Sequence, residues 1–112
     1  MPGDPGSIGE LEQIVLLAIL RLGDGAYAVP IRQELATRAR RRIARGALYT
    51  TLERLELKGC LRSRFGDPVP ERGGRSRRYY SVTARGLGAL RASYGVLRSM
   101  AHGLEAILGE VP

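Results

Sequence analysis

Arg72, Arg75, Arg77 and Arg78 fall within seven residues beside Gly73-Gly74, and Arg38, Arg40, Arg41, Arg42 and Arg45 form a second group upstream. A guanidinium is always charged and presents five N–H donors in a flat fork, which suits phosphate oxygens and the acceptor edge of guanine. The chemistry these spacings support is the binding of a polyanion. Catalysis finds no support: the one histidine, His102, has no second histidine, no cysteine partner and no cluster of acids beside it. Gly73-Gly74 reads as a turn rather than a phosphate cradle, and no metal-ligand spacing occurs. The chain is expected not to be an enzyme and to need no cofactor or metal.

The charge is unevenly placed. Residues 1–35 hold two arginines against five acids, net −3, and residues 87–112 are neutral. Residues 36–86 hold thirteen arginines and Lys58 against four acids, net +10. One part of the chain should therefore meet a polyanion while its flanks do something else. A length of 112 residues and an apolar fraction of 44% suit one globular domain. The longest apolar run, IVLLAIL at residues 14 to 20, is far short of a membrane span of about 20 residues, so no membrane partner is expected. The N-terminal MPGDPGSIGE has no secretory pattern, and the single cysteine, Cys60, reads as a small hydrophobe at a helix end. Both point to a cytoplasmic protein.

These residues need elements to position them. Ser7-Ile-Gly-Glu10 has capping-box spacing and predicts a helix from about residue 8 to Leu22, stopped by Gly23. Its run from Ile14 to Leu20 is apolar all round, which implies burial on more than one side. A second helix begins near Ala28 with Pro30 in its first turn, shows Ile31, Leu35 and Ala39 on one face, and runs into the Arg38–Arg42 group. A third, about residues 44 to 58, gathers Ala44, Leu48, Leu52 and Leu55 on one side and turns Gly46, Tyr49, Thr50, Glu53 and Arg54 away. Leu57 also falls away and is expected to touch the hairpin that follows. Leu61 to Phe65 and Arg77 to Val82 alternate as strands, the second with Tyr80 and Val82 inward and Arg77 and Tyr79 outward. Residues 67 to 75 form the loop between them. Thr83 caps a last helix in which Leu87, Leu90, Tyr94, Leu97, Ala101, Leu104 and Leu108 keep a 3-4 spacing over about 33 Å. That seam predicts a homodimer.

The order helix, helix-turn-helix, hairpin, long helix is that of a winged helix-turn-helix protein. The expected fold is mainly α with a small β-hairpin. A flexible stretch at 1–7 precedes a DNA-binding domain at 8–83 and a dimerisation helix at 84–112. The segment Gly46-Ala47-Leu48-Tyr49-Thr50-Thr51-Leu52-Glu53-Arg54-Leu55 followed by Lys58-Gly59-Cys60-Leu61 resembles a motif of the PadR family. The segment Glu71 to Gly86, with Arg77-Arg78-Tyr79-Tyr80-Ser81-Val82-Thr83, resembles that family's wing and following helix start. The short C-terminus is similar to that of the small PadR subfamily. The resemblance implies a dimeric transcription factor, most often a repressor, released in many cases by a small molecule. Two departures stand out: Ala26-Tyr27 where the family commonly has Gly-Tyr, and no tryptophan to build an aromatic effector pocket.

On this reading the partner is double-stranded DNA. Arg45, Gly46, Tyr49, Thr50 and Glu53 form the reading face of the recognition helix, with Thr50 at the base edges and Tyr49 and Arg45 on phosphates. Gly46, Ala47, Thr50 and Thr51 are small enough to let the helix enter the major groove. Arg72, Arg75, Arg77 and Arg78 grip the backbone or a narrow minor groove from the wing, with Arg41 and Arg42 as weaker backbone contacts. Leu11, Val15, Leu90, Tyr94, Leu97, Ala101, Leu104 and Leu108 are expected at the dimer interface. An apolar effector would sit there too, between the first and last helices. Two rivals stay open: a winged-helix module that binds protein, and a basic RNA-binding protein read from Arg72-Gly73-Gly74-Arg75.

Overall fold

The structure is a computed structural model that describes residues 7–68 and 76–109. Helix α1 spans Glu10–Leu22, α2 Ala28–Thr37 and α3 Arg45–Leu57. Strands β1, Leu61–Pro68, and β2, Ser76–Val82, make an antiparallel two-stranded sheet, followed by α4, Ala84–Ala101, and a four-residue α5, Glu105–Leu108. The core is one cluster drawn from every element except α5. Val15, Leu16 and Ile19 of α1, Ile31 and Leu35 of α2, and Leu48, Leu52 and Leu55 of α3 form its centre. Leu61, Tyr80 and Leu90 close it from the sheet and α4.

Helix α1 begins two residues later than its expected start. Gly9 is the N-cap, and its N–H donates to Oε1 of Glu12 at 2.8 Å, so Ser7 does not cap. Glu12 has a larger task. Its buried carboxylate receives Nζ of Lys58 at 2.8 Å, and the same ammonium donates to the Ser7 carbonyl at 3.1 Å. The start of α1 is thus tied to the end of α3. Such a pair holds firmly, because removing one partner strands a buried charge at a cost of about 3–5 kcal/mol.

Helix α2 stops at Thr37, before the arginine group. Arg40 takes a left-handed conformation (φ 55°), and the N–H of Arg41 donates back to the Leu35 carbonyl at 2.8 Å. Arg38, Arg40, Arg41 and Arg42 therefore lie on a turn and an extended link rather than on a helix. On α3 the leucine stripe is fully buried as expected. Thr51 is buried too, its hydroxyl donating to the Ala47 carbonyl at 2.9 Å, so it faces the core and not a groove. Leu57 is 84% exposed, so the hairpin expected to touch it does not cover it. Phe65 is 68% exposed because β1 has by then run beyond the core. The strand register pairs Leu61 with Val82 and Phe65 with Arg78, then gains one residue on β1 before Pro68 pairs with Ser76.

The last helix is not one helix. Helix α4 ends at Ala101, and Gly103, at φ 88°, turns the chain before α5. The 3-4 seam is therefore broken between Ala101 and Leu104. At its other end α4 is held by a tight joint. Thr83 Oγ1 donates to the Gly59 carbonyl at 2.6 Å and accepts from the Gly86 N–H at 3.0 Å, while the Thr83 N–H donates to the Cys60 carbonyl at 3.1 Å. Gly86 lies so close to that carbonyl that a Cβ would sit 2.2 Å from the Cys60 oxygen. Neither partner can yield, since both are backbone. Gly88, two residues on, has open space around it. Gly86→Ala should lower stability by about 3 kcal/mol, whereas Gly88→Ala should raise it by about 0.5–1 kcal/mol as a better helix former. Urea unfolding of both variants checks the pair; equal effects would mean the joint is loose.

Candidate nucleic-acid interface

Burial of Leu48, Leu52 and Leu55 decides which way α3 turns. Gly46, Tyr49, Thr50, Glu53 and Arg54 come out exposed on its other side, with no atom near enough to Gly46 to crowd it. Arg45 is the first residue of α3, and its guanidinium lies over the Tyr49 ring at 6.0 Å. The unpaired amides of that first turn and the helix dipole favour an anion at the same end. The outer face of α3 thus begins with a cation and small side chains and continues with hydroxyl and charged groups.

Arg77 and Arg78 of the wing are not loose side chains. Arg78 donates to Glu56 Oε1 at 2.7 Å and also lies over the Phe65 and Tyr80 rings, each at 5.7 Å. Arg77 is half-buried, with its guanidinium 4.4 Å from the centre of the Tyr27 ring. Tyr27 meets Tyr79 edge-on at 5.6 Å, and Arg64 covers the far side of Tyr79 at 4.7 Å. Arg77, Tyr27, Tyr79 and Arg64 form a ladder that fastens the base of the hairpin to the start of α2. Each cation–π step contributes on the order of 0.5–1 kcal/mol. Gly66 leaves room for it, since a Cβ there would come within 2.7 Å of the Tyr79 ring. Beneath, Tyr80 is buried and its N–H donates to the Ala26 carbonyl at 2.9 Å. Burial pushes the Tyr80 hydroxyl above its ordinary pKa, against the opposing pull of Arg78. Burial likewise pushes up the Cys60 thiol, though Arg85 and Lys58 oppose it. Cys60 is a buried filler of the core, as expected.

Several expected contacts move. Arg41 donates to Glu10 Oε1 at 2.7 Å, so this cation is engaged by α1. Arg42 is exposed beside Ile43 and Arg32, as a backbone contact requires. Arg72 and Arg75 lie outside the described residues. Of the expected dimer residues, Val15 and Leu90 are buried in the subunit's own core and offer a partner little surface, and Leu11 packs against that core half-buried. Tyr94 and Leu97 are exposed on α4, Ala101 is half-buried, and Leu104 and Leu108 lie beyond the break. On α1 the exposed apolar residues are Leu17 and Leu20. An apolar groove beside them runs between α1 and α2, lined by Ile14, Leu17, Ala18, Leu35 and Ala39 with Arg21, Glu34 and Arg38. Three residues that complete the basic face escaped the sequence reading: Tyr27, Arg32 and Arg64. Arg32 and Arg64 lie outside the two arginine clusters, and only the packing of α2 and the hairpin against α3 brings them in.

The comparisons with known proteins agree with this geometry. The family model described as the transcriptional regulator PadR-like family matches residues 16–92. A PadR-like transcription factor from Bacteroides fragilis is similar in structure, with a TM-score of 0.67, 28% identity, and coverage of 87% of this chain and 88% of that one. A PadR family transcriptional regulator from Eggerthella lenta gives 0.66 and 28%, covering 91% of this chain and 88% of its own. A PadR-like regulator from Bacillus cereus, at 19% identity and a TM-score of 0.69 over 90% and 93% of the two chains, shares the fold. No curated protein matches the chain.

The Arg78–Glu56 pair generates a prediction. Glu56→Gln keeps the size of the side chain and a hydrogen-bonding partner for Ser63 Oγ, which now donates to Glu56 Oε2 at 2.8 Å, but frees the charge of Arg78. Binding to duplex DNA should become a few-fold tighter at low salt, with the log–log salt slope steeper by up to about one. Fluorescence anisotropy at several salt concentrations measures both. An unchanged slope would mean that Arg78 does not meet phosphate.

Proposed function

The chain belongs to the PadR-like family of transcriptional regulators, and from that premise we propose that it is a cytoplasmic, homodimeric, sequence-specific DNA-binding repressor of a near-palindromic operator. The observation that carries this reading is the two-sided α3: Leu48, Leu52 and Leu55 buried, Gly46, Tyr49 and Thr50 bare. A helix with small residues in its first half can enter a major groove about 12 Å wide. Thr50 then reads base edges by its hydroxyl or methyl, Arg45 and Tyr49 bind phosphate, and Arg77 and Arg78 hold the flanking backbone from the wing. Arg42 adds a weaker backbone contact. Glu53 accepts from cytosine or stays solvated.

Dimerisation rests on the second half of α4. Tyr94, Val96, Leu97 and Met100 are between 58% and 73% exposed there, a run of large apolar side chains that a lone subunit would leave in water. Two copies joined along this face would set two α3 helices in successive major grooves, roughly 34 Å apart. The groove between α1 and α2, about 250 Å3 and mostly apolar, borders the exposed Leu17 and is the place we assign to an apolar effector.

The deciding experiment is selection from a random duplex pool, followed by titration of the winner against a scrambled control. An enriched palindrome, bound at least about a thousandfold more tightly than the control, is expected. Thr50→Ala should then cost about 1–3 kcal/mol on the winner and almost nothing on the control. Uniform, salt-sensitive binding to every duplex would replace this reading with that of a basic RNA-binding or protein-binding winged helix. Leu97→Glu should yield monomers in sedimentation and lose the palindrome while keeping weak duplex binding; a wild type that sediments as a monomer would end the dimer proposal.

A further inference from the structure

A cleft of about 160 Å3 opens between the start of α2, the start of α3 and strand β2. Four arginines line it: Arg32 from α2, Arg45 from α3, and Arg77 and Arg78 from β2. No carboxylate does. Arg78 has Glu56 as its counter-ion, but among the described residues Arg32, Arg45 and Arg77 have no acidic partner within 4.0 Å. Like charges brought together in this way cost free energy unless an anion joins them. Arg77, one of the lining residues, has a buried Nε that meets no acceptor among the described residues, an orphan donor of the kind folded proteins rarely leave. The amides of Ala28 and Val29, in the first turn of α2, have no helical acceptor and belong to the same wall.

The side chains already have partners before any ligand arrives. Arg77 is stacked on Tyr27, and Arg45 lies over Tyr49. Arg32 is braced by its own Nε and Nη2, which donate to the Ile43 carbonyl at 3.3 and 3.2 Å. That leaves Nη1 of Arg32 unbraced. A preformed fork of this kind loses little conformational freedom on binding. The space is ample for one tetrahedral anion with some solvent.

We infer that this cleft is a binding site for a single phosphate group, held between Arg32, Arg77 and the first-turn amides of α2. The site fits a phosphodiester of duplex DNA, and that identification rests on the function proposed above. It fits equally the phosphate of a small ligand, which would compete with DNA for the same place. Its position has a consequence. A phosphate here is gripped at once by α2 and the hairpin and faces Arg45 of α3, so occupancy would set the angle between reading helix and wing.

The test has two arms. In the first, inorganic phosphate is titrated into the 15N-labelled dimer or monomer, whichever the wild type forms, and the amide signals of Ala28 and Val29 and the Arg77 Nε–H signal are followed. Saturable shifts in the millimolar range are expected for the wild type and for the control Arg21→Ala, and none for Arg32→Ala. In the second arm, the selected duplex carries one neutral methylphosphonate at a time. One position per half-site should weaken wild-type binding about tenfold and leave Arg32→Ala unaffected. Because Arg32 also braces Ile43, a purely structural role is distinguishable: Arg32→Ala would then bind weakly yet stay sensitive to every position. Shifts with inorganic phosphate but no duplex binding would keep the site and reject the DNA reading. No saturable shift, together with no position that Arg32 senses, would overturn the site while leaving sequence-specific binding intact.

Discussion

Burial of Leu48, Leu52 and Leu55 is the constraint on which the rest of this structure depends. Each leucine taken from water contributes about 1.5–3 kcal/mol, and all three lie on one side of α3 with no exposed surface left. No other rotation of the helix buries them together. The opposite face is therefore assigned by default, and it holds the glycine, tyrosine and threonine that reading DNA requires. Core and reader are two sides of one helix, and the chain builds the second by satisfying the first.

The fold's other problem is charge. A middle segment with a net charge of +10 must fold against itself. Part of the solution is ionic, through Arg41 with Glu10, Arg38 with Glu34 and Arg78 with Glu56. Exposed pairs of this kind contribute little stability, about 0–1 kcal/mol each, and their effect is to aim side chains. The other part uses ring faces: Tyr27, Tyr49, Phe65, Tyr79 and Tyr80 each carry a guanidinium. Five of the chain's six aromatics are spent in this way, leaving Tyr94 on α4. Three of the arginines left without a carboxylate, Arg32, Arg45 and Arg77, then meet in one cleft, where an anion can complete the balance.

Two junctions link this surface to the rest of the molecule. Lys58 and Glu12 join the end of α3 to the start of α1, and Thr83 with Gly86 joins the α3–β1 turn to α4. Both lie at the C-terminal end of α3, opposite the end that carries Arg45 and Gly46. A shift in α4 would reach α3 through backbone contacts that cannot compress. Helix α4 itself leaves the core after Leu90, which accounts for the elongated outline of 54 × 29 × 22 Å.

What sequence determined here is local. Periodicity placed the first three helices, and the start of the fourth, within a few residues, because apolar spacing of 3 and 4 has one structural solution, and the strand alternation found the hairpin and the inward Tyr80. Two motifs at fixed separation carried the family. Local patterns also erred where a competing local choice won: Gly9 with Glu12 in place of Ser7 with Glu10, and Gly103 against a 3-4 leucine repeat that would otherwise have continued. Only tertiary structure decided which arginines are bound and which are free, since Glu10 and Arg41 are 31 residues apart and Glu56 and Arg78 are 22 apart. It also took Val15 and Leu90 for the core rather than a partner. The reason is physical: hydrophobic periodicity says that a face is buried but not against what, and a charge acquires a partner only when the fold brings one within reach.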